Sequence, residues 1–482
     1  MADNISSCPI PSPRLPASSG PLEGFGDYKP ALAWGLVGAG AAALFVCVHW
    51  SIAIVGAMAV LVLSAMENEA LLMFLIFLMP FAWHVQGHNV LLASHALVVL
   101  GFFAGRWLRG QASVSHLFRP AVSRASLCFL CAAAASVMSG KGALTPDAAR
   151  AVYELATYVA FYFVVLIWAN SRERIRKVMW TLLCSTGVTA AFALYQQIIG
   201  NNTLLWSYLY HPGEGYSEPW LGRSTSFLGY PTHLAIYLNL VLPMALACSV
   251  CGQGNWKKLG RWILGLGILA LLSSQSLGGL LAFGAILVLA IFCFVRSHKD
   301  RLVLLAGIFA SACLFYLLRV HLNPAHGENT IGPDVVMRLM LWVTAWRYFM
   351  HSPILGVGWG NFAGLYGSDL SAFSDWIPLG VFEVHNIYLQ LLAETGIVGL
   401  VAFFYFIVQS WRQARRQWYS SLDVLGKVLA FGILGALISV LVHGALDVPF
   451  IAQSGTLLWV LLALLVASSR LQRSTCKSGQ PE

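Results

Sequence analysis

The chain has 482 residues, of which 58% are hydrophobic and only 10% charged, and its mean hydropathy is +0.72. Soluble domains carry about 25% charged residues, so this composition excludes a water-soluble fold: there is too little polar surface to cover the apolar side chains. The formal net charge of +9 raises a nucleic-acid reading. The basic residues instead sit in short clusters between apolar runs, where membrane topology places them.

Residues 1–30 are rich in Pro, Ser and Gly, lack an apolar core, and read as a disordered cytoplasmic tail with no cleavable secretory signal. Beyond them, a hydrocarbon core about 30 Å thick requires about 20 helical residues per crossing. Apolar runs of suitable length lie near 31–48, 50–66, 69–84, 90–108, 122–139, 148–169, 175–198, 232–251, 260–275, 278–296, 301–319, 385–411, 425–444 and 453–470. The first three are short or closely spaced, so the expectation is an all-α integral membrane protein of about 12–14 transmembrane helices over residues 31–470. Residues 471–482 form a second cytoplasmic tail. The run from 260 to 296 is too long for one crossing and breaks at Ser273–Ser276 and Gly278–Gly279.

Lysine and arginine fix the orientation. With both termini cytoplasmic, the clusters at 106–124, 172–177, 257–261, 296–301, 412–427 and 470–477 fall inside with Arg14 and Lys29. Only Lys141, Arg150, Arg223, Arg319, Arg338 and Arg347 are then left on or near the outer side. Two outer connections are long, about 199–231 and 320–384. The apolar stretch 334–350 in the second is read as an amphipathic helix at the outer interface. A crossing there would put Arg338 and Arg347 at membrane depth, about 2.5–3.5 kcal/mol each, and would export the cluster at 412–416.

Two cysteine pairs have i, i+3 spacing, Cys128 with Cys131 and Cys248 with Cys251. With no further His or Cys to complete four zinc ligands, they read as small apolar residues in helix packing.

Few titratable groups face outward. Arg223 and Arg338 are either salt-bridged (to Glu214, Glu218 or Asp334) or at headgroup phosphates, or they are guanidinium forks for a phosphate or diphosphate. His385 opens a span, a common structural position that also suits a general base near the positive end of a helix. The glycine-rich stretch Pro353–Phe362 lacks the strand–turn–helix context of a nucleotide cradle and reads as a tight turn packing an outer loop onto the bundle. Trp206, Tyr208, Tyr210, Tyr216 and Trp220 in the first loop, and Tyr366, Phe373 and Trp376 in the second, are interfacial belt residues or stacking surfaces for sugar rings.

Several of these elements, in this order, resemble the O-antigen ligase and polymerase superfamily of bacterial envelope glycosyltransferases. They are Arg338 with Trp342, then Pro353, Gly356, Gly358, Gly360, Asn361 and Phe362, then His385-Asn386-x-Tyr388-Leu389 and Glu394-x-Gly396-x-x-Gly399. The segment from Arg223 to His233 resembles the family's arginine-containing outer loop. Leu277, in Ser276-Leu277-Gly278, departs from the family's usual Ser-Arg-Gly.

The resemblance implies a bacterial inner-membrane enzyme of lipopolysaccharide or exopolysaccharide synthesis. Its reaction would be a metal-independent, inverting glycosyl transfer at the periplasmic face, without a cofactor. The donor would be a glycan on a polyprenyl (undecaprenyl) diphosphate. The acceptor would be a growing glycan, lipid A-core or a protein, and nucleic acid has no part. By the same resemblance His385, Arg338 and Arg223 are catalytic, and Asn386, Trp342 and Tyr388 contact substrate. A multispan secondary transporter or lipid-linked glycan flippase is the alternative, with Gly278–Gly279 as its broken-helix feature.

Overall fold

The computed structural model describes residues 50–81, 84–85, 88–111, 115–139, 144–200, 222–322, 331–371, 383–421, 423–449 and 452–478. The expected N-terminal tail and first span, residues 479–482, and the aromatic residues of 201–221 and 372–382 lie outside them. The described chain is helical. Its one β pairing joins His84–Val85 to His88–Asn89 as an antiparallel pair of two-residue strands.

Fifteen helices follow in order: α1 (Trp50–Ala65), α2 (Glu69–Phe77), α3 (Val90–Leu108), α4 (Ala121–Ser139), α5 (Pro146–Trp168), α6 (Arg172–Ile199), α7 (Pro231–Cys251), α8 (Gly254–Ser274), α9 (Leu277–Phe294), α10 (His298–Leu322), α11 (Ile331–His351), α12 (Phe362–Ser371), α13 (Ile387–Ser420), α14 (Val424–His443) and α15 (Ala452–Ser478). Among the described residues nine helices are long and apolar enough to cross a membrane, namely α3–α7, α9 and α13–α15. The helices α8 and α10, with 21 and 25 residues, reach about 31 and 37 Å at 1.5 Å per residue; α8 carries Lys257, Lys258 and Arg261 near its start. By contrast α2, expected as a span over 69–84, is a nine-residue helix, about 14 Å long and too short to cross. The expected tail after 470 continues as helix to Ser478.

Capping explains several starts. Thr145 accepts the Ala148 N–H at 3.1 Å with Pro146 in the first turn, and Ser171 accepts that of Arg174 at 3.2 Å. These side chains satisfy donors that the helix itself leaves open. The helices α7 and α15 are buried almost all round and form the centre of the bundle. There, small residues let backbones approach: a Cβ on Gly435 of α14 would lie 2.5 Å from the Pro243 Cβ of α7.

The basic end of the bundle is latched by polar side chains. Arg172 pairs with Asp423 at 3.1 Å, Lys177 with Glu69 at 2.8 Å, and the Gln417 amide donates to Ser468 at 3.0 Å. The cysteines at 128, 131, 248 and 251 are free.

The long helix α13 breaks at Gly396, whose φ/ψ of 63° and −162° is non-helical. The glycine-rich turn repairs the break. Val357 and Gly358 donate to the Ala393 and Glu394 carbonyls, each at 2.9 Å, and Ile397 and Val398 donate to Pro353 and Ile354 at 2.9 and 3.2 Å. The stretch is therefore a turn packed on the bundle, as its sequence suggests.

Two glycines make that approach possible. A Cβ on Gly396 would lie 2.3 Å from the Ile354 carbonyl oxygen, and one on Gly356 would lie 2.3 Å from the Glu394 carbonyl carbon. The Glu394 carboxylate adds a bond, accepting the Phe362 N–H at the start of α12 at 3.1 Å. A second core of Leu341, Ala345, Phe362, Tyr366, Val384 and Ala393 then holds α11 and α12 to α13. The expected helix over 334–350 is thus α11. One face is buried in this core, while Val336, Leu339, Val343, Trp346 and Met350 are exposed.

Gly396→Ala or Gly356→Ala is expected to destabilise the protein by about 2 kcal/mol or more, since each adds a backbone clash to a left-handed conformation costing about 1–2 kcal/mol. Thermal unfolding in detergent measures this. Gly364→Ala in α12, where a Cβ meets nothing within 4 Å, is the control expected to stay within about 0.5 kcal/mol of wild type.

Candidate functional site

The end of the bundle opposite the basic latch is organised around the turn that follows α14, residues 443–449. The backbone winds tightly there, with Leu446 N–H and Asp447 N–H both donating to the His443 carbonyl at 2.9 and 3.0 Å. Three of its carbonyls accept donors from the start of α13 and from α11. Gly444 accepts the Ile387 N–H at 2.8 Å, Ala445 accepts the Asn386 amide at 3.1 Å, and Leu446 accepts Arg338 Nη1 at 3.1 Å.

His385 is held from the same turn. Its Nδ1 lies 3.1 Å from Asp447 Oδ1, which also accepts the Val448 N–H at 2.9 Å. The Asp447 side chain is 6% exposed and that of His385 30%, so the carboxylate is sealed and the imidazole reachable. Burial would raise the Asp447 carboxyl, but the hydrogen bond and charge of His385, the nearby His443 and the Val448 N–H together hold it down at about 2. An ionised acceptor on Nδ1 places the ring proton there and leaves Nε2, which makes no bond among the described residues, as the proton acceptor. Glu383, two residues upstream, is pushed up to about 8 by burial and then by the charges of Asp447, Glu394 and Glu154. One carboxyl near His385 is thus ionised and the other protonated at neutral pH, by environment alone.

Asn386 caps α13, accepting the N–H groups of Tyr388 and Leu389 at 3.0 and 3.1 Å. The Tyr388 hydroxyl donates to the Leu441 carbonyl at 2.6 Å and the Trp342 indole N–H to the Val384 carbonyl at 3.1 Å. The polar groups of all three are thus bonded to backbone around His385. Tyr366 is buried against Phe362, with ring centroids 5.8 Å apart, so it is core and not belt.

Arg223 reaches the same end by another route. Its loop is pinned deep in the bundle: Gln196 Oε1 accepts the N–H groups of Thr225 and Ser226 at 3.3 and 2.7 Å, and Ser224 N–H donates to the Ser273 carbonyl at 3.0 Å. Arg223 Nε donates to the Ser274 carbonyl at 3.0 Å. From there the turn at Gln275–Ser276 leads to Gly278, where a Cβ would lie 2.8 Å from the His443 ring and 3.5 Å from Leu446. The structure therefore brings Arg223, Arg338 and His385 to one end, linked through α9 and the 443–449 turn. Arg338 makes no ion pair among the described residues.

Four residues other than glycine have positive φ among the described residues. Ser226, Gln275 and His385, at 52°, 51° and 52°, are three of them. Each costs of order 1–3 kcal/mol, and each lies in a segment that builds this end.

Asp447 and His443 escape a reading of the sequence alone. They sit in a short connection whose one signal is an acid and a histidine four apart at the end of an apolar run.

Comparison with known proteins bears on this geometry. Residues 262–404 match the family model described as O-antigen ligase. These residues, less than half of the chain, are similar to an O-antigen ligase domain. The match takes in Arg338, the glycine-rich turn, His385 and the break at Gly396; Arg223, His443 and Asp447 lie outside it. The chain is also similar to the teichuronic acid biosynthesis protein TuaE of Bacillus subtilis (strain 168), 23% identical over 343 residues that cover 68% of this chain and 67% of that protein. The multi-span helical scaffold makes this a membrane protein, and the match over residues 262–404 supports a glycan ligase or polymerase in general.

The Asp447 pairing carries a pH signature. A carboxyl held at about 2 when folded, against about 3.9 unfolded, stabilises fully above pH 4 and loses that contribution as pH falls through 2. Asp447→Asn is therefore expected to unfold at lower temperature than wild type at pH 6, with the gap closing as pH drops below about 4. A gap independent of pH contradicts the pairing.

Proposed function

We propose that the protein transfers or polymerises a polyprenyl-diphosphate-linked glycan onto an acceptor hydroxyl at the periplasmic face of the inner membrane, with both termini cytoplasmic. The observation that carries the reading is the His385–Asp447 pair with Nε2 unbonded, beside two arginines at the end away from the basic clusters.

In this mechanism the acceptor oxygen attacks the anomeric carbon of the donor's first sugar from the side opposite the diphosphate, which inverts that centre. The hydroxyl proton passes to His385 Nε2, and the imidazolium formed is stabilised by ionised Asp447. The bond from the anomeric carbon to the diphosphate oxygen breaks, and the polyprenyl diphosphate leaves with its electron pair. Arg338 and Arg223 are preorganised cations for the charge that builds on that leaving group. They require no metal ion to do so. Trp342, Asn386 and Tyr388 hold the 383–388 segment and so position His385, in place of contacting the sugar.

The transporter reading rests on the Gly278–Gly279 break at the start of α9, and the break at Gly396 adds nothing to it, because the backbone groups freed there are taken by the glycine-rich turn and not left for a cargo.

Purified protein supplied with a polyprenyl-diphosphate oligosaccharide and the acceptor glycan is expected to form a new glycosidic bond at the same rate with and without EDTA. His385→Ala and Arg338→Ala are each expected to lower the rate by about 100-fold or more. Undiminished product from either, with normal expression, contradicts the assignment. A cysteine at position 385 is expected to react with an impermeant maleimide from the periplasmic side; protection there with labelling from the cytosol contradicts the orientation.

A further inference from the structure

The loop that carries Arg223 is folded around one buried side chain. Thr225 has φ/ψ of −115° and −22°, in the right-handed region, and Ser226 follows at a left-handed φ of 52°. That succession turns neighbouring backbone N–H groups into one concavity of the kind that suits an anion. Here the Gln196 side-chain oxygen fills it, accepting the Thr225 and Ser226 N–H groups at 3.3 and 2.7 Å. Gln196 is 1% exposed, and Ser224 and Thr225 are fully buried.

The rest of the loop is attached on two sides. Toward α6, the Ser224 and Ser226 hydroxyls donate to the Ala193 and Thr189 carbonyls at 2.8 and 2.7 Å. The Phe227 ring lies between those of Phe81 and Phe192, with centroids 4.3 and 4.4 Å away. Toward the turn between α8 and α9, Arg223 Nε and Ser224 N–H donate to the Ser274 and Ser273 carbonyls, each at 3.0 Å, and Gly222 accepts Gln275 Nε2 at 2.8 Å. Gln196 holds the strained residue between these attachments. A left-handed conformation at a serine persists only where its surroundings over-determine it, and removing the accepting oxygen leaves two buried N–H groups unpaired.

We infer that Gln196 is a positioning residue for glycosyl transfer, holding the Thr225–Ser226 turn in its left-handed form and so fixing where the Arg223 guanidinium stands as the diphosphate departs. The inference rests on the proposed function, which makes Arg223 one of two cations at the leaving group. Gln196 acts from inside the bundle, and its effect passes along the backbone from Thr225 to Arg223. Stabilisation by a preorganised cation is sensitive to small displacements. Charge builds on the leaving group as its bond breaks, so a shifted loop is felt in turnover more than in donor binding.

The test follows transfer by the full-length protein in detergent, from a polyprenyl-diphosphate oligosaccharide to the acceptor glycan, and compares folded variants by kcat and donor KM. Gln196→Met, which keeps the side chain's length and loses its acceptor, is expected to lower kcat about tenfold or more while donor KM changes less than about threefold. Gln196→Glu, which keeps an accepting oxygen, is expected to stay within about threefold of wild type. Ser224→Ala, a milder cut in the same loop, is expected to lower kcat about threefold and decides the matter if Gln196→Met does not fold. Ile198→Ala, exposed on α6, is expected to change nothing. The decisive readout is the residual rate of Arg223→Ala, which neither Gln196→Met nor Ser224→Ala is expected to lower further.

Wild-type kcat in folded Gln196→Met and Ser224→Ala overturns the inference. So does an undiminished further loss in the Arg223→Ala background, which marks a role in holding the bundle together and not in placing the arginine. If Gln196→Glu is as slow as Gln196→Met, the accepting oxygen is not what matters and the inference fails. If Arg223→Ala transfers at the wild-type rate while His385→Ala does not, the inference fails and the transfer reading stands. Failure of wild-type protein to form any glycosidic bond overturns both.

Discussion

The turn after α14, residues 443–449, is the constraint on which the end of the bundle away from the basic latch depends. Its carbonyls and one carboxylate receive donors from the segment before α13 and from α11. In a low-dielectric bundle an unsatisfied backbone group is expensive, so these acceptors act as fixed sockets. The imidazole, its cap and one guanidinium are held from the same short stretch of chain. Their relative placement is then set by backbone geometry, with little left to flexible side chains. That rigidity suits a catalyst that works by arranging charges before the reaction begins.

A second device keeps α13 able to serve two purposes. Its first two turns must present residues 385–388 to the turn after α14, while its remainder must cross the membrane. The break at Gly396 separates the two tasks. The backbone groups it frees would be costly in apolar surroundings, and the Pro353–Phe362 turn supplies partners for them at about the geometry of ordinary secondary structure. The Gly356 and Gly396 contacts are therefore two halves of one joint, which places α11, and Arg338 with it, beside His385.

Much of the architecture was legible in composition and charge. Apolar run lengths located α3–α7, α9 and α13–α15, and the lysine and arginine clusters separated the two ends. Three points were not legible. The 69–84 run has a continuous apolar character, yet α2 stops at Phe77 and the chain turns into a short β pair, because hydropathy measures solvent preference and not where a helix ends. Asp447 carries no local motif; its role comes from a partner 62 positions away. Asn386, Trp342 and Tyr388 are polar or aromatic residues in the segments that carry the family resemblance, which favours a substrate contact. Only the coordinates reveal that their bonding groups face backbone carbonyls and N–H groups.

The most direct measurement is a double-mutant cycle on transfer rate with Asp447→Asn and His385→Gln. If Asp447 acts through His385, the double variant is no slower than His385→Gln alone, with donor KM changed less than twofold throughout. Losses that multiply, so that the double variant is slower by the product of the two single effects, would contradict a shared role at one proton-accepting site.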